Sequence, residues 1–258
     1  HRFIGSEKVV SLWPSYGPSP TLKAFAWSAL VTRALERNFA LFSSEALPAS
    51  LSRVPSAWRI TTSTTGDFTD PHPLTLFRPY HTSEPPIKGL LGLHVRRGDY
   101  EEHCAHLANL NYDYNAAFPA LPDRLTVPAG SSQHDVTFAH CWPTAEVLVE
   151  RVRAVRAAAE SGETFPAQTL RAVFIATNGD HEWLAALVTQ LRADGWESVT
   201  TSFDLQLAKD EQAVAQAVDM GVLTSAETFI GNGFSSLTSN VVQLRLAGKK
   251  HPDTNRFW

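Results

Sequence analysis

Hydrophobic positions in this chain fall into short blocks whose period changes along the sequence. The apolar run Leu90 to Val95 stops abruptly at Arg96 and Arg97, which reads as a buried strand with a cationic end. Helical spacing then places Leu148, Val149, Val152 and Val155 on one face of a helix from Thr144 to Glu160. Ala172 to Thr177 is a second apolar run, followed by a helical pattern from His181 to Ala193. A short strand at Ser198 to Ser202, a helix at Asp210 to Leu223, a strand at Thr228 to Ile230 and a helix at Ser236 to Ala247 complete the series. Strands alternating with helices predict an α/β fold with a mainly parallel sheet covered on both faces.

The first third reads differently. Val9 to Trp13 is a short apolar run, Pro14 to Pro20 is a turn, and Leu22 to Leu41 carries helical spacing. Thr61 to Pro79 has the Ser, Thr, Asp and Pro content of a long loop, and Glu84 to Pro86 reads as a linker. The expected division is therefore an amino-terminal domain at 1–86 and a carboxyl-terminal Rossmann-like domain at 87–258. The stretch from Cys104 to Cys141 interrupts the strand and helix alternation as a long, Pro- and Asn-rich insertion.

Composition narrows the partners. With 43% apolar and 19% charged residues the chain can form a core, and a formal net charge of −4 supplies no general attraction to nucleic acid. No apolar run reaches the roughly 18 residues that a membrane-spanning helix needs, so no membrane contact is expected from this portion. The two cysteines permit one internal disulfide, and two unpaired buried thiols are the equal alternative.

Two constellations carry chemistry. In Leu91 to Tyr100, LGLHVRRGDY, a strand runs into His94, Arg96, Arg97 and Asp99. Ligands of open α/β sheets bind at such carboxyl ends, and arginine offers a planar, permanently charged fork for phosphate oxygens. Because side chains alternate along a strand, His94 and Arg96 share one face while Arg97 points away unless the strand has ended. In Thr228 to Thr238, TFIGNGFSSLT, a strand ends in Gly231-Asn232-Gly233, and Ser235-Ser236 open a helix. Backbone N–H groups, two hydroxyls and a helix dipole at one point suit phosphate. The dinucleotide fingerprint matches only in part, because its third glycine is Ser236 and too little chain follows. His134, His140 and Cys141 match no common zinc spacing. Asp-x-Asp, which would hold a divalent cation on a sugar diphosphate, does not occur in the sequence.

His94-Val95-Arg96-Arg97-Gly98-Asp99 resembles the His-x-Arg signature of GDP-fucose-dependent fucosyltransferases, and Phe229-Ile230-Gly231-Asn232 with Ser235-Ser236-Leu237-Thr238 resembles the phosphate-binding motif of protein O-fucosyltransferases. The likeness covers about residues 87 to 247, and the overall look is similar to fungal O-fucosyltransferase-like proteins. It implies two Rossmann-like halves of GT-B type, the amino-terminal half incomplete before Ile87, and a place in the secretory pathway. It implies transfer of fucose from GDP-fucose to a protein or glycan hydroxyl. Arg96 and Arg97 are the expected phosphate-stabilising residues, and Glu101 and Glu102 the candidate bases for the acceptor hydroxyl. His94, Asp99, Asp180, Asn232, Ser235, Ser236 and Leu237 are expected around the donor, with Asp219 on the nucleoside. No metal or resident cofactor is expected. The alternative from a different class is a catalytically silent GDP-sugar or glycan-binding protein.

Overall fold

Five parallel strands form the centre of the molecule, as a computed structural model that describes residues 19–42, 85–115, 121–162 and 167–258. β1 (Ile87–Val95) is central, and β2 (Ala172–Thr177), β3 (Ser198–Thr201), β4 (Ala226–Gly231) and β5 (Asn255–Phe257) give the order β3-β2-β1-β4-β5. The expected α/β class and parallel sheet are therefore present. β1 pairs with β2 on one side, Leu91 beside Val173, and with β4 on the other, Leu91 beside Thr228. The chain thus departs from β1 in both directions, and the reversal lies between β1 and β4.

Alternation along the strands builds a core on each face. Leu91, Leu93, Val95, Val173, Ile175 and Ile230 pack against α5 (Ala145–Ser161) and α6 (His181–Ala193). Leu90, Phe174 and Phe229 turn to the other side, against α7 (Ala215–Ser225) and α8 (Ser236–Ala247). Each fully buried Leu, Ile, Val or Phe contributes about 1.5–3 kcal/mol relative to exposure, so the two apolar faces dominate the stability of the sheet. Side-chain caps set several helix starts. Thr144 accepts from Val147 N at 3.4 Å to open α5, and Asp180 accepts from Trp183 N at 2.9 Å to open α6.

Three expectations need correction. The helical spacing from Leu22 to Leu41 is broken into α1 (Pro20–Lys23) and α2 (Ala29–Asn38) with a short 3-10 turn after it. The break arises because Trp27 is drawn into a core with Leu22, Val31, Ala34, Val218 and Leu244, and Ser28 then caps a new helix. The helix read from Asp210 begins as a 3-10 turn at Gln212–Val214 before α7. The insertion between the cysteines contains two helices, α3 (Tyr100–Asn109) and α4 (Gln133–Cys141), whose short, weakly patterned sequences gave no clear period. The readings at Val9 to Trp13 and Thr61 to Pro79, and the turn Pro14 to Pro20 as far as Pro18, lie outside the described residues.

Cys104 on α3 and Cys141 at the end of α4 form a disulfide that closes a loop of 37 residues. A covalent tie substitutes here for the extended apolar face that these short helices lack. Replacing both cysteines with alanine is expected to lower unfolding free energy by about 2–4 kcal/mol, measured by urea denaturation. An unchanged midpoint would show that α3 and α4 are held by packing alone.

Candidate functional site

The sheet's reversal point is where the two sequence constellations meet. His94, the penultimate residue of β1, pairs in register with Gly231 at the end of β4, and Asn232 N donates to His94 O at 3.3 Å. A crevice outside the carboxyl ends of the strands at such a reversal is the general ligand position of open α/β sheets.

α8 begins in this crevice. Ser235 is its N-cap and is buried, yet its hydroxyl makes no capping bond, unlike Thr144 and Asp180. The amides of Ser236, Leu237 and Thr238 precede the first intrahelical bond, from Ser239 N to Ser235 O at 3.1 Å. Ser236 is exposed and Leu237 half-buried, so the helix start is open to solvent. Thr238 faces inward and contacts Nδ1 of His94 at 2.8 Å. Asn232 is buried and spans the turn, donating to Cys141 O at 2.8 Å and accepting from Phe234 N at 2.9 Å. Gly233 is required by close approach: a Cβ there would lie 2.3 Å from the Tyr114 ring. Asn232 and Gly233 thus shape the loop, and the helix start projects from it.

His94 is buried, and burial together with Arg96 pushes its pKa down to about 3, so it is neutral in the fold. In an unfolded chain the same imidazole takes a proton near pH 6.5. The sign follows: as pH falls below 6.5 only the unfolded state gains this proton, and stability is lost progressively toward pH 3. Between pH 7 and 5 this group removes about 2 kcal/mol. Unfolding free energies at both pH values should show a pH slope that is smaller in His94→Gln than in the parent chain. Equal slopes would refute the assignment.

Arg96 and Arg97 diverge. Arg96 is half-exposed, its Nη2 lies 2.9 Å from Asp99 Oδ1, and its guanidinium stands 5.6 Å from the centre of the Tyr100 ring. Asp99 is exposed and adds no capping bond to α3, so Arg96 is held only at the surface. Arg97 is buried and packs between the rings of Trp142 and Trp183, 4.2 and 4.3 Å from their centres. Its Nη2 donates to Pro143 O at 2.8 Å, and its backbone N donates to Asn178 Oδ1 at 2.8 Å. Burial lowers the Arg97 pKa, partly offset by Asp180 and Glu101. Two aromatic faces and a carbonyl hold Arg97 in place, while its Nε has no hydrogen-bond partner among the described residues, so the two arginines stand in different settings. Gly98 permits the divergence, with φ of 62° against Asn178.

The remaining candidates spread around the same end of the sheet. Glu101 and Glu102 are exposed in the first turn of α3. Asp180 is occupied as the cap of α6. Asp219, on α7, is half-buried, and burial pushes its pKa up to about 7 against a lowering bond from Ser202 Oγ at 2.9 Å. Trp142, Trp183 and Tyr100 were not singled out from the sequence, since aromatic residues without periodicity carry no positional signal. Among the described residues no group of three or more His, Cys, Asp or Glu side chains is placed to hold a metal ion, and no helix is long and apolar enough to cross a membrane.

No family model and no curated protein matches the chain. Solved structures do resemble it. POFUT1 in complex with GDP-fucose aligns over 92% of this chain and 48% of its own, with 16% identity and a TM-score of 0.50. POFUT1 in complex with GDP aligns over 92% and 49%, with 14% identity and a TM-score of 0.49. The chain spans about half the length of these structures. What the likeness establishes is the fold: this chain is built on a Rossmann-like α/β sheet similar to that of POFUT1.

Proposed function

We propose that the chain binds GDP-fucose and serves the transfer of L-fucose to a hydroxyl of a protein or glycan acceptor, by inverting displacement without a metal ion. The observation that carries this reading is the convergence, at the sheet's reversal point, of a surface arginine after β1 with the open amino terminus of α8 after β4. A diphosphate leaving group needs its growing negative charge stabilised. Arg96 supplies a fixed cation, and the amides of Ser236 and Leu237 supply dipoles that need no reorganisation. His94 and Asn232 position the two elements, and Ser235 offers its hydroxyl beside them.

In the reaction the acceptor oxygen bonds to the anomeric carbon while the bond to the β-phosphate oxygen breaks, its electron pair leaving with GDP. The acceptor proton passes to a carboxylate, for which Glu101 and Glu102 are the candidates on α3. Asp219 accepts from the N–H groups of the base. The disulfide fits an oxidising compartment and supports placing the protein in the secretory pathway.

Calorimetric titration with GDP, GDP-fucose and UDP, each in EDTA, tests the reading. Selective binding of the guanine nucleotides is expected, and equal or absent binding would overturn it. Release of GDP from GDP-fucose in the presence of acceptors then separates an enzyme from a silent binding protein.

A further inference from the structure

The first turn of α3 carries Glu101, Glu102 and His103 directly behind Tyr100, and the helix sorts them. Residues three apart share a side of a helix, while those one or two apart do not face each other. His103 therefore stands beside Tyr100, and the two glutamates are turned away from it. The rings of Tyr100 and His103 have centres 5.0 Å apart and planes 35° apart, whereas Glu101 and Glu102 are exposed. The Tyr100 side is the side of the crevice. The Arg96 guanidinium stands over the Tyr100 ring, and Tyr100 OH donates to Phe234 O at 3.0 Å, next to the Ser235 that opens α8. One ring thus touches both arms of the crevice and His103 as well. Tyr100 itself stays a phenol at neutral pH, since burial, opposed by Arg96, pushes its pKa up to about 12. His103 is half-buried, and neither of its ring nitrogens has a hydrogen-bond partner among the described residues. Burial, His106 on the same helix and Arg96 after β1 lower its pKa, which keeps the imidazole neutral with a lone pair to offer.

We propose that His103, in place of the two exposed glutamates, is the base that takes the acceptor's proton in fucosyl transfer. The inference rests on the reading of this crevice as a GDP-fucose site and names the group that completes its chemistry. As the acceptor oxygen bonds to the anomeric carbon, the electron pair of the breaking bond leaves with the β-phosphate oxygen of GDP. The hydroxyl proton passes to an imidazole nitrogen of His103, and the imidazolium then returns it to water. An ordinary imidazole, with a pKa of about 6.5, lies closer to neutral pH than a carboxylate at about 4.3, and is the stronger base. Arg96 by itself opposes the imidazolium. A diphosphate paired with Arg96 offsets that repulsion, so the proton transfer is favoured once the donor is bound.

The test is GDP release from GDP-fucose against pH, with water as the acceptor hydroxyl, in the parent chain, His103→Gln, His103→Ala, Glu101→Gln and Glu102→Gln, together with the GDP affinity of each. The parent's rate should climb through an acid limb as pH rises, since a base works only when unprotonated. His103→Gln should lose that limb, fall about 10²- to 10⁴-fold in turnover and keep the parent's GDP affinity. Added imidazole should restore part of the rate to His103→Ala, which the loss of a merely packed ring would not allow. Full turnover in His103→Gln or a parallel loss of its GDP affinity overturns His103 alone. So does an acid limb that persists there and disappears in Glu101→Gln or Glu102→Gln. A parent chain that binds GDP no better than UDP, or releases none from GDP-fucose, overturns the transferase reading, and the base with it.

Discussion

Replacing Arg96 with alanine is expected to lower turnover of GDP-fucose by about 10²- to 10³-fold while leaving thermal stability almost unchanged. The two halves of that expectation have one cause. Arg96 is held by an exposed carboxylate, Asp99, and stands over the Tyr100 ring. Exposed pairs of this kind contribute at most about 1 kcal/mol to folding, so the fold has little to lose. A charge facing the breaking phosphate bond has much more to contribute, because it is strongest where the leaving group becomes negative. Arg96→Lys keeps the charge and loses the planar fork, and should fall between the parent and Arg96→Ala. Arg97→Ala is the contrast, since its cation lies between two tryptophan rings and its loss should register first in unfolding. If Arg96→Ala retains full turnover, the phosphate site has been assigned to the wrong residue. Steady-state GDP release and a melting curve on each variant decide the matter.

The largest structural effect is expected at Arg245. This side chain is fully buried on α8 with no carboxylate among its hydrogen-bond partners in the described residues. Burial pushes its pKa down to about 9, leaving it charged at neutral pH. Its partners are carbonyls and side-chain oxygens: Leu223 O and Thr224 O at 3.3 Å at the end of α7, Ala226 O at 2.5 Å and Glu227 O at 3.1 Å on β4. Thr254 and Asn255 at the start of β5 complete the set, Asn255 Oδ1 accepting at 2.7 Å. One guanidinium therefore satisfies the carboxyl end of a helix, whose dipole favours a cation, and joins it to two strands. Arg245→Met keeps the volume and strands these acceptors in a dry core. A loss of about 4–5 kcal/mol is expected, enough to leave a marginal domain largely unfolded at 37 °C. Urea denaturation that shows less than about 1 kcal/mol of change would mean that water replaces the guanidinium.

Much of the sheet was legible because its elements obey one period each. Ala172–Thr177, His181–Ala193 and Ser236–Ala247 have the bounds that hydrophobic spacing assigns them, the strand as a continuous apolar run buried on both faces and the helices as periodic segments that start at a polar residue. The closing strand Asn255–Phe257 was not legible, because three residues carry no period and its place is set by Asp123, which accepts from Phe257 N at 2.9 Å. The division of roles between Arg96 and Arg97 was legible only in part. Alternation along a strand separates the two, but it does not reveal that Trp142 and Trp183, far along the chain, close on the second. Asp180 shows the same limit: a residue at a strand end in a suggestive motif is a helix cap once Trp183 N is seen to donate to it.

The central position of β1 bears on how the molecule comes into being. Its two neighbours in the sheet are encoded far downstream, β2 around residue 172 and β4 around residue 226. During synthesis, Leu90, Leu91 and Leu93 therefore emerge with both edges of their strand unpaired, and one edge waits for β2 while the other waits for β4. Such long-range pairing folds slowly and exposes an aggregation-prone segment while it waits. Newly made chains should accordingly depend on chaperones until β4 emerges, and fragments ending before residue 226 should be insoluble.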